Sequence, residues 1–286
     1  MKRLLPLLLL LPLLEIGCFH AVMAPVKSAK RISKEVHKAS DPISDVEEYY
    51  IGRSVAANIV AKYPVLDNEE LTNYVSLVGN TVALNSNMPV TYGGYHFAIL
   101  DTEEINALAC PGGVILLTKG LIDSLENEDE LAAVLAHEVA HVNNRDGIST
   151  IVAERKSSMG TLFLKEPFRI AGTITPAELS QVSNLFIQAI DSVFDTVAVN
   201  GYSDAQELEA DKDALVFLGK SGYDPSALLN YRTRLAEKKG TTLTLKMENN
   251  PSPFERAENI KLNLPAVHVD ESLVQLRAKR FHDHVQ

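Results

Sequence analysis

Apolar residues recur at helical spacing along much of the chain and switch to short strand-like runs in one place. Ile51, Val55, Ile59 and Val60 predict an amphipathic helix reaching about Lys62, entered at Asp41-Pro42, an N-cap followed by a proline suited to the first helical position. Leu71, Tyr74, Val75 and Val78 predict a second helix, capped by Asn68 and ending near Leu84. Between Tyr92 and Thr118 the period changes. Residues 96–100, 107–109 and 114–117 read as strands, the last entered through the turn Pro111-Gly112-Gly113, and together they predict a small antiparallel sheet. Gly120 punctuates the entry to the apolar run 121–125. A helix follows over 129–145, with Leu131, Val134, Leu135, Val139 and Val142 on its inward face. Acids from Glu126 to Glu130 lead into it and complement its dipole. Over 148–202 the pattern blurs. Residues 159–170 are apolar but broken by Gly160 and Pro167, and 176–199 reads as a long amphipathic helix whose apolar stripe is expected to join the core, with a cover over the cleft or a membrane-facing surface as the alternatives. A further helix starts at Ser203, with Gln206 at the third position of a capping box.

Chemistry enters in the helix over 129–145, which contains His137-Glu138-Val139-Ala140-His141. Residues four apart lie one turn above each other, so both imidazoles point the same way and can share one zinc ion. Glu138, a quarter-turn round, reaches a metal-bound water without being a ligand and is the candidate general base. A solvated polar stripe on a surface helix is the competing reading. The small residues Ala133, Ala136 and Ala140 around the pair favour close packing instead. A catalytic zinc wants three protein ligands and one open position. Glu207 and Asp211, four apart on the helix begun at Ser203, supply the candidates: Glu207 as third ligand and Asp211 as acceptor from a ligand histidine's other ring nitrogen. Glu209 falls on another face.

Composition narrows the class. A 46 % hydrophobic chain of 286 residues supports a sizeable core, and a net charge of −10 argues against a nucleic-acid partner. Two cysteines, Cys18 and Cys110, give neither a disulfide framework nor a zinc ribbon. Cys110 reads as a small apolar packer. Met1-Lys2-Arg3 followed by an apolar run from Leu4 to Leu14 reads as an export signal too short to span a bilayer. Ile16-Gly17-Cys18 resembles the end of a lipobox, which would make Cys18 a lipid-anchored N-terminus, although Glu15 departs from that pattern. Cleavage after Ala24 competes with it. The expected organisation is a signal over 1–24, a basic tether over 25–40, one catalytic domain over 41–270 and a tail over 271–286 containing His282 and His284.

The paired motifs, H-E-x-x-H and the downstream Glu207-Leu208-Glu209-Ala210-Asp211, resemble those of the gluzincin metallopeptidases of the HtpX and CAAX prenyl protease type, in their exported bacterial branch. The segment from Asn106 to Ile115 is similar to that family's N-A-x-A-x-P-G-G stretch, and Gly222-Tyr223-Asp224-Pro225 to its turn after the second motif. The resemblance extends over roughly residues 45–265. It implies an α+β fold, mostly helical and zincin-like, with a small antiparallel sheet beside the H-E-x-x-H helix. It also implies that Asn106 and Ala107 pair with a bound peptide's backbone, that His137, His141 and Glu207 hold one Zn²⁺, and that the substrates are polypeptides, unfolded or outer-membrane proteins of a bacterial periplasm. Two departures stand out: Asp204 where many members have arginine, and Asn250-Pro251 where many have His-Pro ahead of an arginine matched here by Arg256. Arg256 either faces the cleft or pairs with a helix. A non-cleaving chaperone or binding module is the alternative function, disfavoured by the intact Glu138.

Overall fold

The computed structural model describes residues 43–149, 190–237, 252–267 and 269–285. The export signal, Cys18, the 25–40 arm, Asp41-Pro42, the 159–170 run, most of the 176–199 stretch, Asn250-Pro251 and His268 lie outside them. The first helix, α1 (Asp45–Lys62), is started by Ser44, three residues beyond the proposed aspartate cap. Ser44 and Glu47 form a reciprocal capping box, with the Ser44 N–H donating to Glu47 Oε2 at 2.9 Å. Ile51, Val55 and Ile59 are buried as expected, and Val60 only half so. Asn68 caps α2 (Glu69–Leu84), its Oδ1 accepting from the Leu71 N–H at 3.0 Å.

Three strands follow: β1 (His96–Leu100), β2 (Ala107–Cys110) and β3 (Val114–Thr118). The sheet is mixed rather than antiparallel throughout. Its order is β1-β3-β2, with β2 antiparallel to β3 but β1 parallel to β3. The reason is the connection: β2 itself carries the chain back, so β3 runs in the same direction as β1 and fits between the two. This leaves β2 as an edge. The turn into β3 needs glycine at Gly112, where φ is +76°. Gly52 in α1 serves a different purpose, since a Cβ there would come within 1.7 Å of the Pro111 carbonyl oxygen; its absence lets the helix lie directly on the turn.

Beyond the short α3 (Lys119–Ser124), α4 (Glu128–Asn143) is buried at every position from Glu128 to Val142. It packs against α2, β2, α5 (Asp204–Ser221), α6 (Ser226–Glu237) and α8 (Glu271–Val285), and α7 (Pro253–Asn263) lies across α5 and α6. Leu131, Leu135 and Val139 join Val75, Ile115, Leu117, Leu215 and Phe217 in the main core. Each such side chain contributes about 1.5–3 kcal/mol through burial. A helix buried on all sides must match every polar group it carries. At its N-terminus, Glu128, Asp129 and Glu130 are matched by Arg280, Arg277 and Arg234 respectively. These acids therefore do more than complement a dipole. The expected tail is folded as well: α8 docks through Arg277 and the fully buried Phe281 because its cationic face meets acids on α4.

Candidate metal centre

Helical spacing brings His137 and His141 onto one face of α4, and their rings stand nearly perpendicular, 86° apart with centroids 4.6 Å from each other. The opposing carboxylate comes from α5. Its box of Ser203 and Gln206 fixes the first turn, so that Glu207 enters the gap and Asp211 follows one turn later. His137 Nε2 lies 3.1 Å from His141 Nε2 and 3.3 Å from Glu207 Oε2, and His141 Nε2 lies 3.7 Å from Glu207 Oε1. A tetrahedral zinc ion with ligands at about 2.0–2.2 Å sets its donors about 3.3–3.6 Å apart, so the spacing suits that ion. These three residues are the ones among the described residues whose donor atoms converge within 4.8 Å of one another. His96, His282 and His284 lie elsewhere.

Each imidazole is held from behind. His137 Nδ1 meets Asp211 Oδ1 at 3.0 Å. His141 Nδ1 meets Asp146 Oδ2 at 2.8 Å. With both Nδ1 atoms facing carboxylates, the Nε2 atoms are left as the metal-binding nitrogens, and Arg256 Nη2 stands 3.2 Å from that of His137. Asp146 escaped sequence reasoning because α4 ends at Asn143 and no helical spacing applies beyond it. Arg145, in the left-handed region at φ 56°, turns the chain so that Asp146 folds back under His141. Arg145 is held there by Glu48 Oε2 at 2.5 Å and the Ile43 carbonyl at 2.8 Å. Tyr202, also missed, stacks on His141 with centroids 4.2 Å apart and donates its hydroxyl to the Ala109 carbonyl at 3.1 Å.

Arg256 does both: it pairs with α5 and faces the candidate ligands, its Nη2 lying 3.2 Å from His137 Nε2. Its Nε and Nη2 grip Asp211 at 2.8 and 2.7 Å, and its Nη1 meets Glu207 Oε2 at 2.6 Å, all buried. Arg232 approaches Asp211 at 3.8 Å. Burial works against the Glu207 charge, but Arg256 and the two histidines outweigh it and hold the carboxyl well below its usual range. Asp211 is held down in the same way, burial being overcome by Arg256 and His137. Glu138 goes the other way: burial, reinforced by Glu207, pushes its carboxyl up to about 7 against the opposing pull of His141 and the two arginines. Burial also pushes the Cys110 thiol up to about 12, which suits a packing residue rather than a nucleophile. The cluster thus sets four carboxyl groups, those of Glu138, Asp146, Glu207 and Asp211, against two guanidiniums. Even with the Glu138 carboxyl near neutrality, carboxylates are in excess, which favours a divalent cation.

Beside this cluster, the edge strand β2 presents main chain on one side only. The Asn106 N–H donates to Thr118 Oγ1 at 3.0 Å and its carbonyl accepts from the Thr118 N–H at 3.0 Å, so both Asn106 main-chain groups are turned to β3. Ala107, half-buried, begins the strand proper.

Comparison with known proteins agrees with this geometry. Residues 69–263 match the model of peptidase family M48. The chain is 27 % identical over 206 residues to the beta-barrel assembly-enhancing protease of Yersinia pestis, covering 70 % of this chain and 40 % of that protein. It is 26 % identical over 201 residues to metalloprotease LoiP of Escherichia coli K12, covering 70 % and 73 %. It is also 26 % identical over 186 residues to the mitochondrial metalloendopeptidase OMA1 of Arabidopsis thaliana, covering 64 % and 34 %. The chain therefore spans about two fifths of the length of the first of these relatives. With two imidazoles and a carboxylate at zinc spacing inside the matched region, the chain belongs to peptidase family M48, the zinc metallopeptidases with an H-E-x-x-H histidine pair and a glutamate ligand.

Proposed function

We propose that this chain is an exported zinc-dependent endopeptidase that cleaves unfolded or misassembled envelope polypeptides. The observation that carries the reading is the spacing of His137, His141 and Glu207, with Glu138 buried beside them. Those three residues would hold one Zn²⁺, which when bound polarises a scissile carbonyl and acidifies a water. Glu138, buried beside the three ligands, would take the proton from that water and pass it to the leaving amine. Asp211 and Arg256 keep His137 and Glu207 oriented throughout. An extended substrate adds to the open side of β2 through main-chain hydrogen bonds at Ala107, while Asn106 contributes its side chain. Recognition through main chain tolerates many sequences and requires an unfolded segment.

The export signal and Cys18 support placement in the periplasm or, through a lipid anchor, at a membrane surface. Among the described residues no helix is long and apolar enough to cross a membrane. The relatives' names, which include a beta-barrel assembly-enhancing protease, support envelope proteins as substrates. The test is cleavage of an unfolded outer-membrane protein and of casein by the zinc-loaded protein. Chelation should abolish it, and Glu138→Gln should keep stoichiometric zinc while losing at least about a hundredfold in turnover, the scale of a lost general base. Undiminished turnover in Glu138→Gln would remove the mechanism; intact zinc without any cleavage would favour a binding module.

A further inference from the structure

Asp146 and Gln206 are linked in a way that the peptidase reading does not use. Gln206 Oε1 accepts from the Ser203 N–H at 3.1 Å and from Ser203 Oγ at 2.7 Å, closing the cap of α5. With its oxygen committed there, the amide must turn its nitrogen outward. Nε2 donates to Asp146 Oδ1 at 2.9 Å and lies 3.2 Å from Ser149 Oγ. Asp146 is buried, and its other oxygen takes the His141 Nδ1 proton at 2.8 Å. Two donors thus converge on the Asp146 carboxylate, the Gln206 amide fixed by the cap of α5 on Oδ1 and the His141 ring on Oδ2.

We propose that Gln206 and Asp146 are positioning residues that set the tautomer of His141, keeping its Nε2 unprotonated and aimed at the zinc. The inference rests on the zinc-site reading, not on peptide hydrolysis. Gln206 also ties the start of α5, which carries Glu207, to the turn after α4, which carries both histidines. The other ligand histidine is handled differently. Asp211 shares its charge with the bidentate Arg256, whereas the described partners of Asp146 besides His141 are neutral. On its Nδ1 side, His141 therefore meets a carboxylate whose orientation is set by the Gln206 amide.

Polarity gives a test that packing cannot imitate. Asp146→Asn is nearly isosteric, yet Gln206 would claim the oxygen of the new amide and leave its NH₂ facing His141 Nδ1. That drives the imidazole proton onto Nε2, the metal-binding atom. Asp146→Ala imposes no tautomer. Zinc affinity, measured on the purified full chain by competition with a chromophoric chelator, should therefore fall in the order wild type, Asp146→Ala, Asp146→Asn. The last should lose about 10–100-fold, the usual scale for an outer partner of a ligand histidine. Adding Gln206→Glu to Asp146→Asn should restore most of the affinity. The carboxylate so introduced accepts from the amide NH₂ and returns the amide oxygen to His141, and glutamate serves equally well in the capping box. The Co²⁺-loaded absorption spectrum should follow the same order and the same rescue. Asp146→Asn binding zinc more tightly than Asp146→Ala, or a double variant no better than Asp146→Asn, would overturn the proposal. Wild type that binds zinc but cleaves nothing would defeat the peptidase reading alone.

Discussion

A glutamate between two histidines would be an unremarked carboxylate if it were exposed; Glu138 is 7 % exposed, and that decides its behaviour. Its carboxyl titrates near 4.5 in the unfolded chain and at about 7 in the folded one, burial being the main cause and Glu207 adding to it. The folded state binds the proton more tightly, so protonation favours folding between those values. The resulting stabilisation is complete below about pH 4.5 and lost as pH rises through about 7. In metal-free protein, Glu138→Gln carries no charge at any pH and escapes that loss. Relative to wild type it should gain stability from pH 5 to pH 8, up to an upper bound of about 3 kcal/mol. Denaturant unfolding with chelator at the two pH values reads this directly, and a difference that does not change with pH would refute the raised carboxyl. At this scale the sequence was informative where helical geometry applied: His137, His141, Glu207 and Asp211 all follow from spacings of four. Asp146 follows from no such rule, because a left-handed residue at Arg145 places it.

The α4 helix shows how an element can be buried while carrying ionisable residues at both ends. Its apolar face was legible from period alone. Its three leading acids were read as dipole partners because their cations sit far away in sequence, on α6 and α8. For the same reason α8 looked like a tail: a polar, basic stretch becomes a docked helix only when Asp129 and Glu128 are there to receive it. The parallel β1–β3 pairing was hidden for a related cause, since three successive strands are expected to pair in order and these do not. Arg277 tests the arrangement. Its Nε donates to Asp129 Oδ2 at 2.9 Å, with both side chains buried. Arg277→Ala strands the Asp129 charge in the interior and should cost about 3–5 kcal/mol. The double change Asp129→Leu with Arg277→Leu should recover part of that, because it removes the uncompensated charge but leaves the Asp224 N–H, which donates to Asp129 Oδ1 at 2.8 Å, without its acceptor. Urea midpoints for the two variants check it, and a single variant within about 0.5 kcal/mol of wild type, the range of an ordinary surface substitution, would show that α8 is not held by this pair.

Across the whole molecule, the candidate site is a charged seam set into the apolar core that α4, α5 and α7 share. α4 brings the imidazoles, α5 the carboxylates and α7 the guanidinium of Arg256. The apolar core sets the distance between helices, but carboxylate charge beyond what Arg232 and Arg256 match remains in the seam unless a divalent cation joins it. A zinc ion bound there should therefore act as a staple between the helices. A ligand that binds only the folded state stabilises it by RT ln(1 + [L]/Kd), about 2.7 kcal/mol at a hundredfold excess over Kd. Thermal unfolding of the wild type should shift upward with free zinc and return on chelation. Glu207→Gln should lose most of that shift while retaining the Arg256–Asp211 pair that holds α7 to α5 in the absence of metal. The variant thus separates the cation's contribution from that of the helix packing. A zinc-independent midpoint in the wild type would mean that the seam closes without a cation, and the three-ligand assignment would fail with it.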